Sequence, residues 1–181
     1  QIIARSGDGF DVFTYAELGR RARKLSSALA GLGVAPGDRV GTLAWNTAEH
    51  LAAYYAIPCI GAVLHTINTR LSDEQIGYII EHAGDTVLLV DEDQIELLQR
   101  IRARLGNIRA IVQLTGTPPP EGTFGVPVHG YAELTADAPA EFDYPDLDEN
   151  TAASMCYTSG TTGDPKGVVY SHRSTVLHAL C

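Results

Sequence analysis

Leu18, Ala22, Leu25, Leu29 and Leu32 recur at helical spacing behind a Thr14–Glu17 capping-box pair, so the first strong pattern along the chain is an amphipathic helix. Gly33 stops that helix and the segment VAPGDR turns the chain. Short apolar runs and helical patterns then alternate. Val40 to Trp45 reads as a buried strand, and Asn46 as the cap of a helix running towards Ile60, with Pro58 marking an early end or a kink. Ala62 to Thr66 is the next strand. Ser72 and Gln75 form a second capping box, opening a helix that closes near Gly84. Thr86 to Val90 is a strand, Gln94 to Leu105 a helix ended by Gly106, and Arg109 to Leu114 a strand.

Strands separated by helix-length crossovers pair in parallel, which predicts an α/β fold: a mostly parallel sheet flanked by helices. Continuous apolar strands such as VLLV and IVQL agree, because strands covered on both faces lose the alternation of a half-exposed sheet. No internal repeat is visible. From Thr115 the texture changes: GTPPPEGTFG is a turn-rich connection, and Asp137 to Glu149 carries six acids and no base, as a solvated surface crossing does. Ala152 to Tyr157 then reads as a strand, Val168 to Ser171 as strand-like, and a helix starts near His172.

Composition narrows the function. The 181 residues suit one domain, or one domain and the opening of the next. At 45% hydrophobic and 19% charged, the chain can bury a core without disulfides or metals. A net charge of −9 argues against nucleic acid as a partner, and the one dense basic cluster, Arg20, Arg21, Arg23 and Lys24, reads as a solvated helix face. Cys59, Cys156 and Cys181 have no ligand spacing, and no secretory leader is visible, so free thiols in a reducing cytoplasm are expected. The longest apolar stretch, Leu51 to Leu64, contains Pro58 and Gly61 and falls short of the ~20 residues of a membrane span. Peripheral membrane association and homodimerisation stay open. The chain starts at Gln1 and stops at Cys181 within a helix-like run, so it is expected to be the front portion of a longer protein.

The chemistry concentrates in YTSGTTGDPKGV, residues 157–168, which follows a buried strand. It carries four hydroxyls (Thr158, Ser159, Thr161, Thr162), three glycines (Gly160, Gly163, Gly167) and Lys166. Glycines allow successive N–H groups to converge on one anion, hydroxyls add short donors or an oxygen ligand for Mg²⁺, and lysine adds a positive point charge. A Walker A loop is excluded, because Pro165 precedes Lys166 and Gly167 follows it. A flexible Ser/Thr/Gly linker is the bland alternative, but a linker has no need of a Pro-Lys-Gly exit between two strand-like runs.

The segment Thr158 to Gly167, T-S-G-T-T-G-x-P-K-G, resembles the signature of the adenylate-forming (AMP-binding) superfamily of acyl- and aryl-CoA synthetases, luciferases and peptide-synthetase adenylation domains. FTYAEL at Phe13 to Leu18, GVAPGDRV at Gly33 to Val40 and TLAWN at Thr42 to Asn46 are similar to segments of that family in the same order. GAVLHTINTRL, Gly61 to Leu71, with the later CYTSGTTGDPKGVVYSHRS, most resembles the fatty-acyl-CoA synthetase branch; Thr69 departs from it where proline is expected.

The resemblance implies that the chain is the N-terminal portion (1–181) of an adenylation domain, part of the large N-terminal domain of an acyl-CoA synthetase-like enzyme. It implies a two-step reaction: a carboxylic acid, a medium- or long-chain fatty acid foremost, attacks the α-phosphate of Mg·ATP. The resulting acyl-adenylate is then captured by the thiol of coenzyme A. Thr158, Ser159, Gly160, Thr161, Thr162, Gly163 and Lys166 would contact the β- and γ-phosphates, and Thr158 would help hold Mg²⁺. The adenine and ribose sites, the hinge and the catalytic lysine of the C-terminal domain lie beyond residue 181, as does most of the acyl pocket. No catalytic residue falls in this stretch, and the stretch alone is expected to be inactive. Short-chain, thioether or aryl acids are the alternative substrates, and a non-catalytic nucleotide-binding or interaction module is the reading from another class.

Among other residues, His172 is placed either beside a nucleotide or in local packing, and His65 is read as structural. Cys156 reads as a small buried hydrophobe and Trp45 as core or pocket rim. The histidines show no metal-ligand spacing, so no zinc site is expected.

Overall fold

The computed structural model describes residues 1–6, 9–158 and 164–181. The chain opens with a hairpin that the hydrophobic pattern did not reveal: β1 (Ile2–Ser6) pairs antiparallel with β2 (Gly9–Phe13). Thr14 caps α1 (Tyr15–Gly31) by accepting from the Glu17 amide at 3.1 Å, and the chain leaves the helix through Gly33 at φ 78°. The apolar runs that follow become β3 (Arg39–Leu43), β4 (Val63–Thr66), β5 (Asp85–Val90) and β6 (Ala110–Gln113). Between them lie α2 (Ala48–Cys59), α3 (Asp73–Ala83) and α4 (Ile95–Arg100). After the turn-rich connection come β7 (Val128–Gly130) and α5 (Tyr131–Ala136), neither expected from sequence, because both are too short to show a period. β8 (Ala152–Thr158), β9 (Lys166–Ser171) and α6 (His172–Leu180) complete the described chain.

Seven strands form one sheet in the order β7-β6-β5-β3-β4-β8-β9, parallel throughout except that β8 and β9 are antiparallel. The α/β architecture with a mostly parallel sheet flanked by helices is therefore present. One face is covered by α1 and α2, where Leu25, Leu29, Ala53 and Ile57 pack on Val40, Leu64, Val87 and Val112. On the other face Ile76, Ile79 and Ile80 of α3 and Leu97 and Leu98 of α4 pack on Leu43, Leu88, Val90 and Ile111. Complete burial of a leucine such as Leu25 or Leu29 stabilises the fold by ~1.5–3 kcal/mol relative to exposure.

Two expected boundaries move. The cap of α2 is Thr47, whose hydroxyl accepts the His50 amide at 3.2 Å, and not Asn46. The His50 ring is bonded to the Trp45 carbonyl and to Thr42, which fixes its place in the first turn and makes Thr47 the residue three positions before it. The helix expected over Gln94 to Leu105 is an α-helix only at Ile95–Arg100, with 3₁₀ turns at Glu92–Gln94 and Arg102–Arg104. Tightened 3₁₀ ends are a common way for a short helix to satisfy its terminal groups. The Ser72–Gln75 capping box of α3 is formed in full, and Gly84 closes that helix at φ 67°. A side chain at Gly84 would also meet the Arg39 guanidinium, which donates to the Ala83 and Gly84 carbonyls at the helix end.

Among the described residues no helix is long and apolar enough to cross a membrane.

Candidate functional site

β8 threads the sheet beside β4, with Met155 level with His65 and Cys156 level with Thr66. Ala153 and Met155 are buried, while Tyr157 is half-buried and Thr158 exposed, so β8 emerges from the core as it approaches its end. β9 returns antiparallel, and its register sets Tyr157 against Gly167 and Thr158 against Lys166. Two of the sequence-predicted phosphate ligands, Thr158 and Lys166, thus face each other at the ends of one hairpin. Both are exposed. Among the described residues the Thr158 hydroxyl has a single long contact, 3.5 Å to the Lys166 carbonyl, and no ion pair engages Lys166. The other five predicted ligands, Ser159, Gly160, Thr161, Thr162 and Gly163, lie outside the described residues.

Below this hairpin sits a buried polar pair. His65 Nδ1 lies 2.9 Å and 2.8 Å from the two carboxylate oxygens of Asp85, with both side chains fully buried. The sequence reading of His65 as structural fits this position. Burial pushes the Asp85 carboxyl up, and the hydrogen bond from His65 draws it partly back. Room for the carboxylate comes from Gly41 on β3, where a side chain would meet Leu88 at 2.6 Å and Asp85 at 2.9 Å. The ring of Tyr157 leans on His65 at 5.3 Å between centroids, and its hydroxyl is hydrogen-bonded to His82 Nδ1 on α3 at 2.7 Å. Burial pushes the Tyr157 phenol up as well.

A crevice of about 330 Å³ opens at the carboxyl ends of β3, β4 and β8, bounded by Trp45, His50, Tyr54, Asn68, Thr69 and Tyr157. This is the end of a parallel sheet at which α/β proteins place ligands. Trp45 stands at its rim, 45% exposed, with its indole N–H donating to Asp93 at 2.8 Å. His50 lies at its floor. Its Nδ1 donates to the Trp45 carbonyl at 2.9 Å and its Nε2 accepts from Thr42 at 3.0 Å, an arrangement that suits the neutral ring that burial favours. A second, more apolar groove of about 360 Å³ runs between α2 and β8, with His172 at its far side. His172 Nε2 is buried with no partner among the described residues. Cys156 is half-buried between the two cavities, less enclosed than the sequence suggested.

Sequence reasoning missed the roles of His82 and Tyr157, and missed Asp91, whose carboxylate accepts the backbone N–H of Trp45 at the crevice rim at 2.7 Å. The capping boxes placed α3 correctly, but no pattern along the chain tells which residue of a helix meets a strand introduced some seventy-five residues later.

Residues 2–180 match the model of the AMP-binding enzyme family. The chain is 48% identical over 175 residues to the 3-methylmercaptopropionyl-CoA ligase of Ruegeria pomeroyi, covering 95% of this chain and 32% of that protein. It is 45% identical over 166 residues to the medium-chain-fatty-acid–CoA ligase of Ectopseudomonas oleovorans, covering 92% of this chain and 30% of the relative. The crystal structure of the anthranilate CoA ligase AuaEII in complex with anthranoyl-AMP superposes with a TM-score of 0.86 at 30% identity, over 93% of this chain and 31% of that one. The chain spans about a third of the length of the curated relatives it matches.

Proposed function

The chain belongs to the AMP-binding enzyme family, and from that premise we propose that it is the phosphate-holding portion of an ATP-dependent, AMP-forming acid–CoA ligase. In this reading residues 1–181 are the front of the large N-terminal domain, and the lysine-bearing C-terminal domain belongs to the rest of the enzyme. The observation that carries it is the pairing of Thr158 with Lys166 across β8 and β9, one on each side of the glycine- and hydroxyl-rich segment in sequence. Lys166 is exposed and its charge is uncommitted among the described residues, as a group reserved for an anion must be.

The turn, with Thr158, Ser159, Gly160, Thr161, Thr162, Gly163 and Lys166, holds the β- and γ-phosphates while the substrate carboxylate attacks the α-phosphate. Pyrophosphate leaves, and the thiol of coenzyme A then displaces AMP from the acyl-adenylate. Positioning and charge neutralisation are the contribution of these residues; no covalent step involves them. The exposed Thr158 hydroxyl, with only a 3.5 Å contact among the described residues, suits an oxygen ligand of Mg²⁺, a hard cation that would neutralise phosphate charge when bound. The enzyme acts in the cytoplasm in this reading.

The acid is a medium- or long-chain fatty acid. A thioether acid is the second reading, favoured by the 48% identity to a relative named for 3-methylmercaptopropionyl-CoA. Acid-dependent ATP–pyrophosphate exchange by the full-length enzyme tests the reading, with octanoate and 3-methylthiopropionate in parallel. Exchange with neither acid, or exchange insensitive to Lys166→Ala, overturns it.

A further inference from the structure

Tyr157 is held from three sides. Its hydroxyl is bonded to His82 of α3, and His82 is itself stacked on Tyr78 of the same helix at 5.2 Å between centroids. Its ring rests on His65, which the buried Asp85 carboxylate fixes in place. The backbone of Gly167 also lies close against it, where a side chain would come within 3.2 Å of the ring. Gly167 is also its partner in the β8–β9 register, and the next pair in that ladder is Thr158 with Lys166. Every constraint on Tyr157 is therefore passed, one residue along each strand, to the two groups that flank the turn.

We propose that Tyr157 is a positioning residue that sets the spacing of Thr158 and Lys166 by tying the β8–β9 hairpin to α3 through His82. The inference rests on the phosphate-binding reading of the turn and adds to it a mechanical support drawn from outside the turn. The physical need is plain. β8 is the only partner strand of β9 among the described residues, and the Tyr157–His82 bond is a side-chain tie that joins this pair to α3. A lysine on a strand that is free to shift spends its charge over a wide arc, and ordering it on binding costs affinity. The Tyr157–His82 bond removes part of that cost in advance. Tyr157 touches no phosphate, so its effect is confined to ligands that the turn itself holds.

The experiment measures dissociation constants of Mg·ATP and of AMP for the full-length enzyme by calorimetry. The variants are Tyr157→Phe, His82→Ala, their double mutant and Lys166→Ala. Tyr157→Phe keeps the ring and removes one hydrogen bond, and His82 is exposed, so neither threatens folding; melting temperatures report this directly. Each single change is expected to weaken Mg·ATP about three- to tenfold, the effect of one lost hydrogen bond, while AMP, lacking the β- and γ-phosphates, binds as in the wild type. The double mutant is expected to be no weaker than the worse single, because both changes break the same bond. Unchanged Mg·ATP affinity in Tyr157→Phe, equal weakening of Mg·ATP and AMP, or multiplied effects in the double mutant overturn the proposal. If Lys166→Ala weakens Mg·ATP and Tyr157→Phe does not, the inference alone falls. If Lys166→Ala leaves Mg·ATP untouched, the phosphate-binding reading falls and takes the inference with it.

Discussion

The carboxylate of Asp91 accepts the backbone N–H of Trp45 at 2.7 Å, across the gap between the carboxyl ends of β5 and β3. Its other oxygen accepts the Thr115 hydroxyl at 3.2 Å, beyond the end of β6. The chain leaves β3 towards α2 on one face and β5 towards α4 on the other, which makes this gap the switch point where open α/β sheets commonly receive ligands. Asp91 closes it from within. Asp91→Asn keeps the acceptor for Trp45 but offers Thr115 a donor, so the hydroxyl must turn from donor to acceptor, and a loss of ~1–2 kcal/mol is expected.

The same substitution has a pH signature. Burial raises the Asp91 carboxyl despite its two hydrogen bonds, so the folded chain binds this proton more tightly than the unfolded chain. That contribution is complete below the unfolded value of ~3.9 and is lost as pH rises through the folded one. The asparagine variant does not titrate there. Its deficit in melting temperature against the wild type is therefore expected to be larger near pH 4 than near pH 7; a deficit that grows towards neutrality contradicts the assignment.

Lys166→Ala in the full-length enzyme is expected to slow the adenylation half-reaction about ten- to a hundredfold, the ~1.5–3 kcal/mol of one charge-assisted contact. Thioester formation from supplied acyl-adenylate is expected to fall far less, because pyrophosphate charge is present only in the first step. Thr161→Ala loses a neutral hydroxyl contact of ~0.5–1.5 kcal/mol and should cost less than Lys166→Ala. Equal losses in both half-reactions point to a folding defect instead.

His65→Ala leaves the buried Asp85 carboxyl without its side-chain partner. An unsatisfied buried polar group costs ~1–3 kcal/mol, which lowers the melting temperature measurably. Gly41→Ala attacks the same pair sterically, by pressing on Leu88 and Asp85. Overpacking of this kind costs ~1–3 kcal/mol, which a denaturation midpoint resolves.

Residues 1–181 expressed alone are expected to show no acid-dependent ATP–pyrophosphate exchange, since the adenine site and acid pocket of the proposed enzyme lie in later sequence. Robust exchange by the purified stretch contradicts that placement.

The parallel core was legible because its signals are local. Continuous apolar runs marked β3 to β6, and the Ser72–Gln75 capping box and Gly84 gave both ends of α3. The β1–β2 hairpin escaped notice because apolar residues stand on both of its faces: Ile2, Ala4 and Phe13 pack inward while Ile3, Phe10 and Val12 are exposed. β7 and α5 were hidden by their length. At the site, residue types announced Thr158 and Lys166, since hydroxyls, glycines and a lysine have few structural reasons to cluster. Tyr157, His82 and Asp91 carry no such mark. An aromatic, an imidazole and a carboxylate occur anywhere, and only the packing of α3 on the sheet and the closure of β5 against β3 reveals what each one holds.

The pairing of β4 with β8, in which Leu64 meets Ser154, has a consequence for how the chain is made. β3, β4, β5 and β6 are all synthesised before β8, so the outer edge of β4 stands open on the ribosome while the long turn-rich and acidic connection emerges. An unpaired edge on an apolar strand invites foreign strands, and contacts between distant segments form slowly. The strand that carries Thr158 is thus fitted into the sheet after β3, β4, β5, β6 and β7 have been made. Until it arrives, the nascent sheet has a vacant seat at the edge of β4, an interval in which a chaperone has something to protect.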